Sequence, residues 1–403
     1  MTVQPLRRVF TVVNGGTPTS EPENWDGDVS WATPIDLGRL NGARISETQR
    51  TLTAKGLRTG SSLVPAGSLI VSTRAPIGYV VETTIPMAFN QGCRGLVPRT
   101  ELDVRFFRYQ LAVSASQLQS RGQGSTFVEL STDGLASLPL AVPSLIEQRA
   151  VADYLDAETA RIDALIDLRQ AQAALASAHV QAVVDSVLDA LGPWLSLRRV
   201  LAPERDALIA GPFGSQLAGD DLREAGVAGV IDQQLIIGGS FDRPKHFVDE
   251  AKWNELRRFA VRPGDVLVSG RGTTGRIAVV PDEVGPAIIH PSVLRVRPDP
   301  SRISADFLAT CLRWSTRISD YLRLENTATT IDVIYSGTLR GVPIPVPSLT
   351  EQGGILRRIG MATSDGHATE QAMRAQVLLL MERRRALVTA AVTGQLEIPG
   401  VAA

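Results

Sequence analysis

The sequence is poor in the residues that metal sites, disulfide frameworks and nucleophilic catalysis require. Its 403 residues include only two cysteines and four histidines, and these lack the close spacing of a metal-ligand set. We therefore expect neither a disulfide framework nor a metal site. No apolar run approaches the roughly 18 residues of a membrane-spanning helix, and the first residues do not resemble a cleavable signal. These absences favour a cytoplasmic protein that does not contact a membrane.

Lysine is also scarce. It occurs only at positions 55, 245 and 252, so nearly all of the 41 basic side chains are arginine. Biased codon usage is the simplest explanation. The alternative is functional, because guanidinium groups bind phosphates and guanine edges in bidentate geometry. The formal net charge of −1 does not indicate a nucleic-acid binder by itself, but a neutral total can conceal a basic face, so both explanations stay open.

Motifs of common enzymes are missing as well. The sequence has no Gly-Lys-Ser/Thr of a P-loop and no Asp/Asn-Pro-Pro-aromatic tetrapeptide of amino-group DNA methyltransferases. Residues 270–275 match Gly-x-Gly-x-x-Gly, but a strand-like run follows where a dinucleotide site needs a helix. This segment is predicted to be a tight hairpin. Since no nucleophile–base pair is evident either, we predict no catalytic residues and no enzyme activity for this chain.

What the sequence does contain is a long internal repeat. LPLAVPSLIEQ at residues 138–148 returns 204 residues later as VPIPVPSLTEQ at residues 342–352. Three further segments match in the same order: residues 6–9 with 197–200, residues 64–78 with 261–275 (which pairs Gly67 with Gly264, Ser72 with Ser269, Arg74 with Arg271 and Gly78 with Gly275), and residues 122–130 with 326–334. A period of this length predicts duplication of a whole domain with its following helix, related by pseudo-twofold symmetry.

Each half begins with a region rich in Gly, Pro, Ser and short β-type runs and ends with a long region rich in Ala, Leu, Glu, Gln and Arg. The texture predicts an α/β (α+β) fold: two similar domains with mixed, largely antiparallel sheets, each followed by a long helix. A shorter helix is predicted near residues 104–120. The predicted boundaries are residues 1–144 and 193–346 for the two domains, 145–192 for the first long helix, and 347–403 for the second long helix and tail.

Apolar residues recur at seven-residue spacing on both long helices, which is the pattern of a coiled coil. At about 1.5 Å per residue the first helix would span roughly 70 Å, too long for the interior of one small domain. Pseudosymmetry predicts that the two helices pack antiparallel and separate the domains. The residues predicted to pack the helices or dock partners are Leu155, Ile162, Ile166, Val180, Val183, Met373, Val377, Leu380 and Leu387.

Both long helices open on Pro-Ser-Leu-x-Glu-Gln. Ser144 and Ser348 are predicted N-caps, and the glutamate three residues after each completes a capping box. We assign these motifs a structural role only. In the second helix the Gly353-Gly354 pair predicts a bend near the start.

Polar side chains in the loops are the remaining candidates for function. Arginine, amide and hydroxyl groups suit hydrogen bonds to phosphates and base edges, although each residue alone is more simply explained as part of a turn or surface. Arg74 and Arg271 are shared by halves that otherwise diverge, which suits phosphate positioning better than sequence reading. The candidate DNA-binding residues are Arg74, Asn90, Gln91, Arg94, Arg121, Gln123, Ser125 and Thr126 in the first half, and Gln233, Gln234, Arg271, Thr273, Thr274, Arg276, Asn326 and Thr327 in the second.

Several segments resemble the specificity (S) subunit of type I restriction–modification systems. They are VPSLIEQRAVADYLDAETARIDALI and VPSLTEQ at the helix starts, RRRALVTAAVTGQLEI near the end, and GGTPTS, WATPIDL and Asn90-Gln91-Gly92-Cys93 in the first half. The resemblance covers nearly the whole chain, in order. It implies two target-recognition domains, each reading one half of a bipartite, asymmetric sequence in double-stranded DNA.

The resemblance also implies a division of labour. The helices would fix the half-site spacing and dock two methyltransferase (M) subunits and, through them, restriction or translocase (R) subunits. S-adenosylmethionine, and ATP with Mg²⁺ for restriction, would bind to those partners, with no cofactor on this chain. A coiled-coil adaptor with two protein-binding domains is the alternative that the residues alone leave open. A self-sufficient methyltransferase or nuclease is disfavoured by the missing motifs.

Overall fold

The computed structural model describes residues 2–40, 42–74, 76–122, 128–271, 274–325 and 333–398. The chain forms two compact units. The first unit comprises Met1–Gln170 and Ala375–Ala403, and the second comprises Ala171–Arg374. Each unit contains one sheet-rich half of the repeat with parts of both long helices. The functional domain boundaries given above stay a prediction.

The first unit is built on mixed, mainly antiparallel sheets, as predicted from the sequence. A five-stranded and a four-stranded sheet lie beside a two-stranded pair that joins Thr2–Pro5 to Pro139–Val142. The central strand Leu69–Ser72 is buried at every position, as expected of a strand covered on both faces. The other strands are Phe10–Asn14, Trp25–Ala32, Arg44–Ile45, Arg50–Leu52, Ser62–Val64, Val80–Thr83, Met87–Phe89 and Cys93–Pro98.

Short helices cover these sheets. The helix predicted near residues 104–120 is present as two helices, Val104–Val113 and Ala115–Ser120, with a break at Ser114. Phe106 and Phe107 of the first of these are fully buried against the five-stranded sheet and Phe10. The remaining helices are Leu6–Val9, Pro34–Arg39, Ala54–Gly60 and Thr132–Ala136, with a 3₁₀ turn at Pro22–Asn24.

The second unit repeats this design with shorter strands. Its four-stranded sheet has Val266–Ser269, again fully buried, between Val293–Val296 and Ile277–Val279. The other strands are Trp194–Ser196, Leu208–Ala210, Ala228–Ile231, Phe247–Val248, Ala287–Ile289 and Pro343–Pro345. The helices are Gln233–Gly238, Glu250–Glu255, Ala305–Trp314, Thr316–Glu325 and Ser336–Gly341, with 3₁₀ turns at Leu197–Arg199, Gly219–Asp221 and Arg257–Phe259.

Residues aligned by the repeat occupy matching turns. Gly67 and Gly264 both have φ near +78°, at 76° and 79°, and Gly78 and Gly275 also have positive φ, a conformation that favours glycine. Val266–Ser269 pairs antiparallel with Ile277–Val279. These two strands, which flank the Gly-x-Gly-x-x-Gly match, therefore form a hairpin, as predicted; residues 272 and 273 of the match lie outside the described residues.

The two long helices are Leu145–Asp189 and Leu349–Val392. The second is continuous through Gly353 and Gly354. Within the first unit, Asp163 of the first helix forms an ion pair with Arg384 of the second, 2.8 Å between Oδ1 and Nε. Beside that pair, the apolar residues of both helices form one cluster, which consists of Ile162, Ile166, Val377, Leu380 and Leu387.

Within the second unit the helices are also antiparallel. The Ser177 hydroxyl donates to Glu370 at 3.0 Å, and Val180 lies against Gly366. Residue numbers thus rise along the first helix where they fall along the second. A Cβ atom at Gly366 would lie 2.0 Å from a Val180 methyl carbon. This glycine therefore permits close helix packing. Val180 and Val183 continue into the core of the second unit with Ile355 and Ile359.

The predicted capping boxes are confirmed. Ser144 N–H donates to Glu147 at 2.7 Å and Ser348 N–H to Glu351 at 2.8 Å, while both serine hydroxyls accept the reciprocal bonds. The hydrogen bonds from these serines lower the pKa of both glutamates. The boxes fix the first turn of each long helix.

The glutamine that ends each helix-opening motif has a role that sequence reasoning missed. Gln148 Oε1 accepts the N–H of Asp103 at 2.9 Å, and its Nε2 donates to the Pro143 carbonyl at 2.9 Å. Gln352 likewise accepts from Ser304 N–H at 2.9 Å and donates to the carbonyls of Pro347 and Arg302. Both side chains are buried. Each glutamine thus fastens the start of a long helix to a short helix of the sheet domain.

Among the described residues, no helix is both long and apolar enough to cross a bilayer. In the same part of the chain, no cluster of His, Cys, Asp and Glu could hold a metal ion. Burial raises the pKa of the Cys93 and Cys311 thiols, so neither is a reactive thiolate.

Candidate nucleic-acid interface

Three loops of the first unit are held together by backbone hydrogen bonds. Thr73 N–H donates to the Gly92 carbonyl at 2.8 Å, Leu130 N–H donates to the Thr73 carbonyl at 3.0 Å, and Cys93 N–H donates to the Asn90 carbonyl at 3.1 Å. We call this set of bonds the loop brace. A fourth loop passes close by, because a Cβ atom at Gly15 would lie 2.0 Å from the Asn90 carbonyl oxygen. The brace gathers polar candidates from distant parts of the sequence.

The second unit has the same brace in the same places. Gly270 N–H donates to the Ser292 carbonyl at 2.8 Å, Ile334 N–H to the Gly270 carbonyl at 2.9 Å, and Val293 N–H to the His290 carbonyl at 2.9 Å. A Cβ atom at Gly211 would lie 2.1 Å from the His290 carbonyl oxygen. Because backbone atoms make these bonds, the arrangement is kept although the side chains differ.

In the first unit the brace brings Arg74, Gln91 and Arg94 together. Arg74 forms an ion pair with Glu129 at 2.8 Å, and Arg94 lies 3.7 Å from the same carboxylate. Arg94 also donates to the Gln91 carbonyl at 2.9 Å. Burial lowers the pKa of the Arg94 guanidinium, and Glu129 opposes that effect. Glu129 therefore already partners the two arginines.

Asn90 and Gln91 lie on the turn at the centre of this group. Asn90 Oδ1 accepts the N–H of Gly92 at 3.0 Å, and the Thr17 hydroxyl donates to Gln91 Oε1. Arg121 lies elsewhere on the loops, where it donates to Ser137 Oγ at 3.1 Å. Its observed role is to hold the end of the helix Thr132–Ala136.

In the second unit Arg271 matches Arg74. Both make an isolated β-bridge, Arg74 with Glu129 and Arg271 with Val333. Valine at that position means that Arg271 lacks the carboxylate that partners Arg74, and the Arg271 side chain is exposed. Thr274 and Arg276 lie on the same hairpin; Arg276 is exposed, and its N–H donates to Ser269 Oγ at 2.8 Å.

Gln233 and Gln234 open the helix Gln233–Gly238, away from the hairpin in sequence. Gln234 Oε1 accepts from Lys245 at 2.9 Å. Gln233 Oε1 is buried and has no hydrogen-bond partner among the described residues. Six further candidates lie outside the described residues: Gln123, Ser125, Thr126, Thr273, Asn326 and Thr327.

Many arginines have structural partners, which bears on the excess of arginine in the sequence. Arg105 bonds Asp103, Asp153 and Asp156 at the joint between Val104–Val113 and the first long helix, and these bonds raise its pKa. In the second unit Arg297 forms a bidentate pair with buried Asp265, at 2.7 and 2.8 Å. Such residues are not available to a ligand, so the exposed Arg271 and Arg276 are the stronger candidates for phosphate contact.

Comparison with known proteins shows which family the first part of the chain resembles. Residues 1–172 match the family model of the type I restriction modification DNA specificity domain. The match spans 172 of the 403 residues. The resemblance stated from the sequence is thereby confirmed.

Curated relatives agree with the specificity domain assignment. The chain is 31% identical over 157 residues to the type I restriction enzyme MjaIX specificity subunit of Methanocaldococcus jannaschii, which covers 38% of this chain and 36% of that protein. It is 26% identical over 315 residues to the EcoBI specificity subunit of Escherichia coli, covering 72% of this chain and 65% of that protein. Both relatives are named as specificity subunits, which agrees with the prediction that this chain is not an enzyme.

Solved structures show that the fold extends past the specificity domain. A chain from a structure concerning complex assembly and conformational transition of the type I R-M system has a TM-score of 0.76 at 18% identity, over 98% of each chain. The HsdS subunit from Thermoanaerobacter tengcongensis has a TM-score of 0.54 at 18% identity, over 98% of this chain and 97% of that one. The predicted fold class is thus confirmed.

His290 is the residue that sequence reasoning missed at this interface. It takes the place of Asn90 in the second brace, and its ring Nδ1 accepts the N–H of Ser292 at 3.2 Å. The sequence gives no signal for this equivalence, since Asn90-Gln91-Gly92 and His290-Pro291-Ser292 share no residue. Only the positions of the neighbouring strands align them.

Proposed function

We propose that this chain is the DNA-reading subunit of a type I restriction–modification complex, in which each unit reads one half of a bipartite, asymmetric site in double-stranded DNA. The observation that carries the proposal is the loop brace. Two units hold the same loops in the same backbone frame and place different polar side chains on it. This is what two readers of different sequences require, because the frame positions the reader and the side chains specify the bases.

Exposed charge supports contact with the phosphate backbone. Arg271 and Arg276 are exposed on the hairpin of the second brace, while Arg74 is half-exposed in the first. Arginine at such positions neutralises phosphates and releases counterions, which supplies most sequence-independent affinity. The methyltransferase subunits would contribute the remaining phosphate contacts, which makes the near-zero net charge tolerable.

The long helices would space the half-sites and dock two M subunits and, through them, R subunits. In the first unit Leu165, Leu168 and Leu379 are 41, 48 and 64% exposed. Leu165 and Leu379 line an open groove of about 280 Å³ with Arg169 and Arg383. Exposed leucines rimmed by charge are typical of a protein-binding surface. Adenine N6 methylation with S-adenosylmethionine, and restriction with ATP and Mg²⁺, would then take place on those cytoplasmic partners.

Selection from a random DNA library tests the proposal. The purified full-length chain, alone and with its M subunit, would be incubated with randomised duplexes, and bound DNA would be sequenced. We expect two short fixed motifs at one constant spacing. Recovery of no motif would overturn the proposal and favour the protein-binding adaptor. Mapping methylated adenines in cells that carry both subunits provides an independent measurement of the same site.

A further inference from the structure

Two equivalent turns, residues 90–93 and 290–293, occupy the centre of the loop brace in their units. Each begins after a short buried strand that pairs in parallel with a neighbour, Met87–Phe89 with Trp25–Ala32 and Ala287–Ile289 with Ala228–Ile231. Asn90 N–H donates to the Ala32 carbonyl and His290 N–H to the Ile231 carbonyl, both at 2.9 Å. The backbone on both sides of Asn90 and His290 is therefore held in the same way.

The two side chains satisfy the same local need with different chemistry. Asn90 Oδ1 accepts Gly92 N–H at 3.0 Å, and its NH₂ group makes no hydrogen bond within the turn. His290 Nδ1 accepts Ser292 N–H at 3.2 Å and lies 2.8 Å from the Ser292 hydroxyl. An Nδ1 that accepts a backbone N–H carries no proton, so in the neutral ring the proton is on Nε2.

Both turns therefore use a side-chain acceptor, and in each side chain an N–H group takes no part in the turn. We propose that Asn90 and His290 are equivalent specificity-determining residues, each presenting a hydrogen-bond donor to an acceptor on a base edge in its own half-site. The ligand atoms of this class are O6 and N7 of guanine, O4 of thymine and N7 of adenine. The inference rests on the proposed function, and it assigns one base contact to each unit.

The chemistry of these groups favours a base over a phosphate. Asn90 is uncharged, and burial lowers the pKa of His290, with His246 acting in the same direction and Asp232 opposing it. A neutral imidazole adds little to the electrostatic attraction that dominates backbone contact. A fixed, uncharged donor instead discriminates between bases by whether an acceptor faces it. Arg74 and Arg271, held by the adjoining loops of the brace, suit the phosphates.

A purely structural role for the turn makes a different prediction, and matched substitutions separate the two. Asn90→Asp and His290→Asp keep an oxygen that can accept the turn N–H but lose the donor. His290→Asn keeps both the acceptor and a donor, in the arrangement of the first unit. Each full-length variant would be assayed with the same randomised duplex library as the wild type.

We expect Asn90→Asp to reduce the preference for the wild-type base at one position of one half-site by roughly tenfold. Because carboxylates accept from amino groups, preference at that position should move toward cytosine or adenine. His290→Asp should do the same in the other half-site only, while His290→Asn should retain preference for an acceptor-bearing base. The unaffected half-site in each variant shows that the chain is folded.

The outcomes separate failure of the inference from failure of the proposed function. If the wild type selects a bipartite motif and both aspartate variants select the identical motif, the inference is wrong and the proposed function stands. If the wild type selects no motif, the proposed function itself is wrong. If His290→Asp loses both half-sites through misfolding, Asn90→Asp and His290→Asn decide the question on the same readout.

Discussion

At the scale of single residues, arginine serves two purposes in this protein. Arg105 and Arg297 complete ion-pair networks inside the fold, whereas Arg271 is exposed beside the loop brace. The sequence predicted that Arg74 and Arg271 are equivalent, and the matching β-bridges confirm it. The repeat also aligns Glu129 with Val333, but it could not predict that Arg74 contacts Glu129, because that ion pair joins two loops that are distant in sequence.

The difference between these arginines gives a first prediction. Arg271→Ala should weaken DNA binding and reduce the slope of log affinity against log salt by about 1, without changing the selected bases. Arg149→Ala, exposed on the first long helix, is the control and should leave the slope unchanged. Affinity titrations at several salt concentrations make the measurement. A changed base preference in Arg271→Ala would contradict a phosphate role.

A second prediction concerns pH. The folded-state pKa of His290 is lowered by burial, so the unfolded chain binds a proton more readily than the folded chain as pH falls below about 6.5. His290 therefore makes stability fall as pH drops through that value. His290→Asn, which cannot titrate, should lose less of its thermal midpoint between pH 7.5 and 5.5 than the wild type. Equal losses in the two proteins would show that the ring titrates normally.

At the scale of elements, the long helices were the most predictable feature, since their apolar period and capping boxes are local signals. Leu155 illustrates what is less visible. It packs with Val388 and Val392 of the second helix and with the sheet domain of its unit, so it belongs to a shared core. Met373, which was predicted to pack the helices, is only partly buried. Seven-residue spacing of apolar residues shows which residues share a helix face, but not which of them contact another element.

The glutamine at each helix start gives a third prediction. Gln352→Leu removes three hydrogen bonds and leaves a buried N–H and two carbonyls without that partner. We expect a loss of about 3 kcal/mol in the free energy of unfolding. Gln371→Leu, exposed on the same helix, should change it by about 0.5 kcal/mol or less. Urea denaturation compares them, and similar losses in both variants would refute a fastening role for Gln352.

The exposed leucines give a fourth prediction. Leu168→Asp should leave the thermal midpoint nearly unchanged, because the side chain is already exposed, yet should weaken M-subunit binding by roughly tenfold or more. Ile162→Asp should instead destabilise the fold by several kcal/mol, since it buries a charge in the helix cluster. Ala157→Asp, exposed on the same helix, is the charge control. Calorimetry and a binding titration measure both quantities, and normal binding by Leu168→Asp would remove this surface from the docking proposal.

At the scale of the whole molecule, the internal repeat predicts modular reading. Replacing residues 1–144 with the corresponding domain of another family member should change one half-site and leave the other half-site intact, because each brace is closed within its own unit. Sequencing of methylated adenines in cells carrying the chimera and its M subunit measures both halves. Alteration of both halves would mean that the two units do not read independently.

The duplication itself could be predicted because motifs at the helix starts recur nearly unchanged. The repeat also aligns two positions of the brace, Thr73 with Gly270 and Leu130 with Ile334. The third position could not be predicted, because the turns at Asn90 and His290 share no residue and are equivalent only through hydrogen bonds between backbone atoms.

That backbone character has a consequence for how new recognition can arise. The backbone bonds of the brace make few chemical demands on side chains, apart from the turn acceptor that Asn90 and His290 supply. Substitutions at Gln91 or Ser292, and substitutions at Asn90 or His290 that keep an acceptor, should therefore alter the displayed surface while the scaffold persists. Libraries randomised at these few codons should consist largely of folded molecules. We therefore expect that the recognised DNA sequence can change through single substitutions, each of which leaves the protein folded.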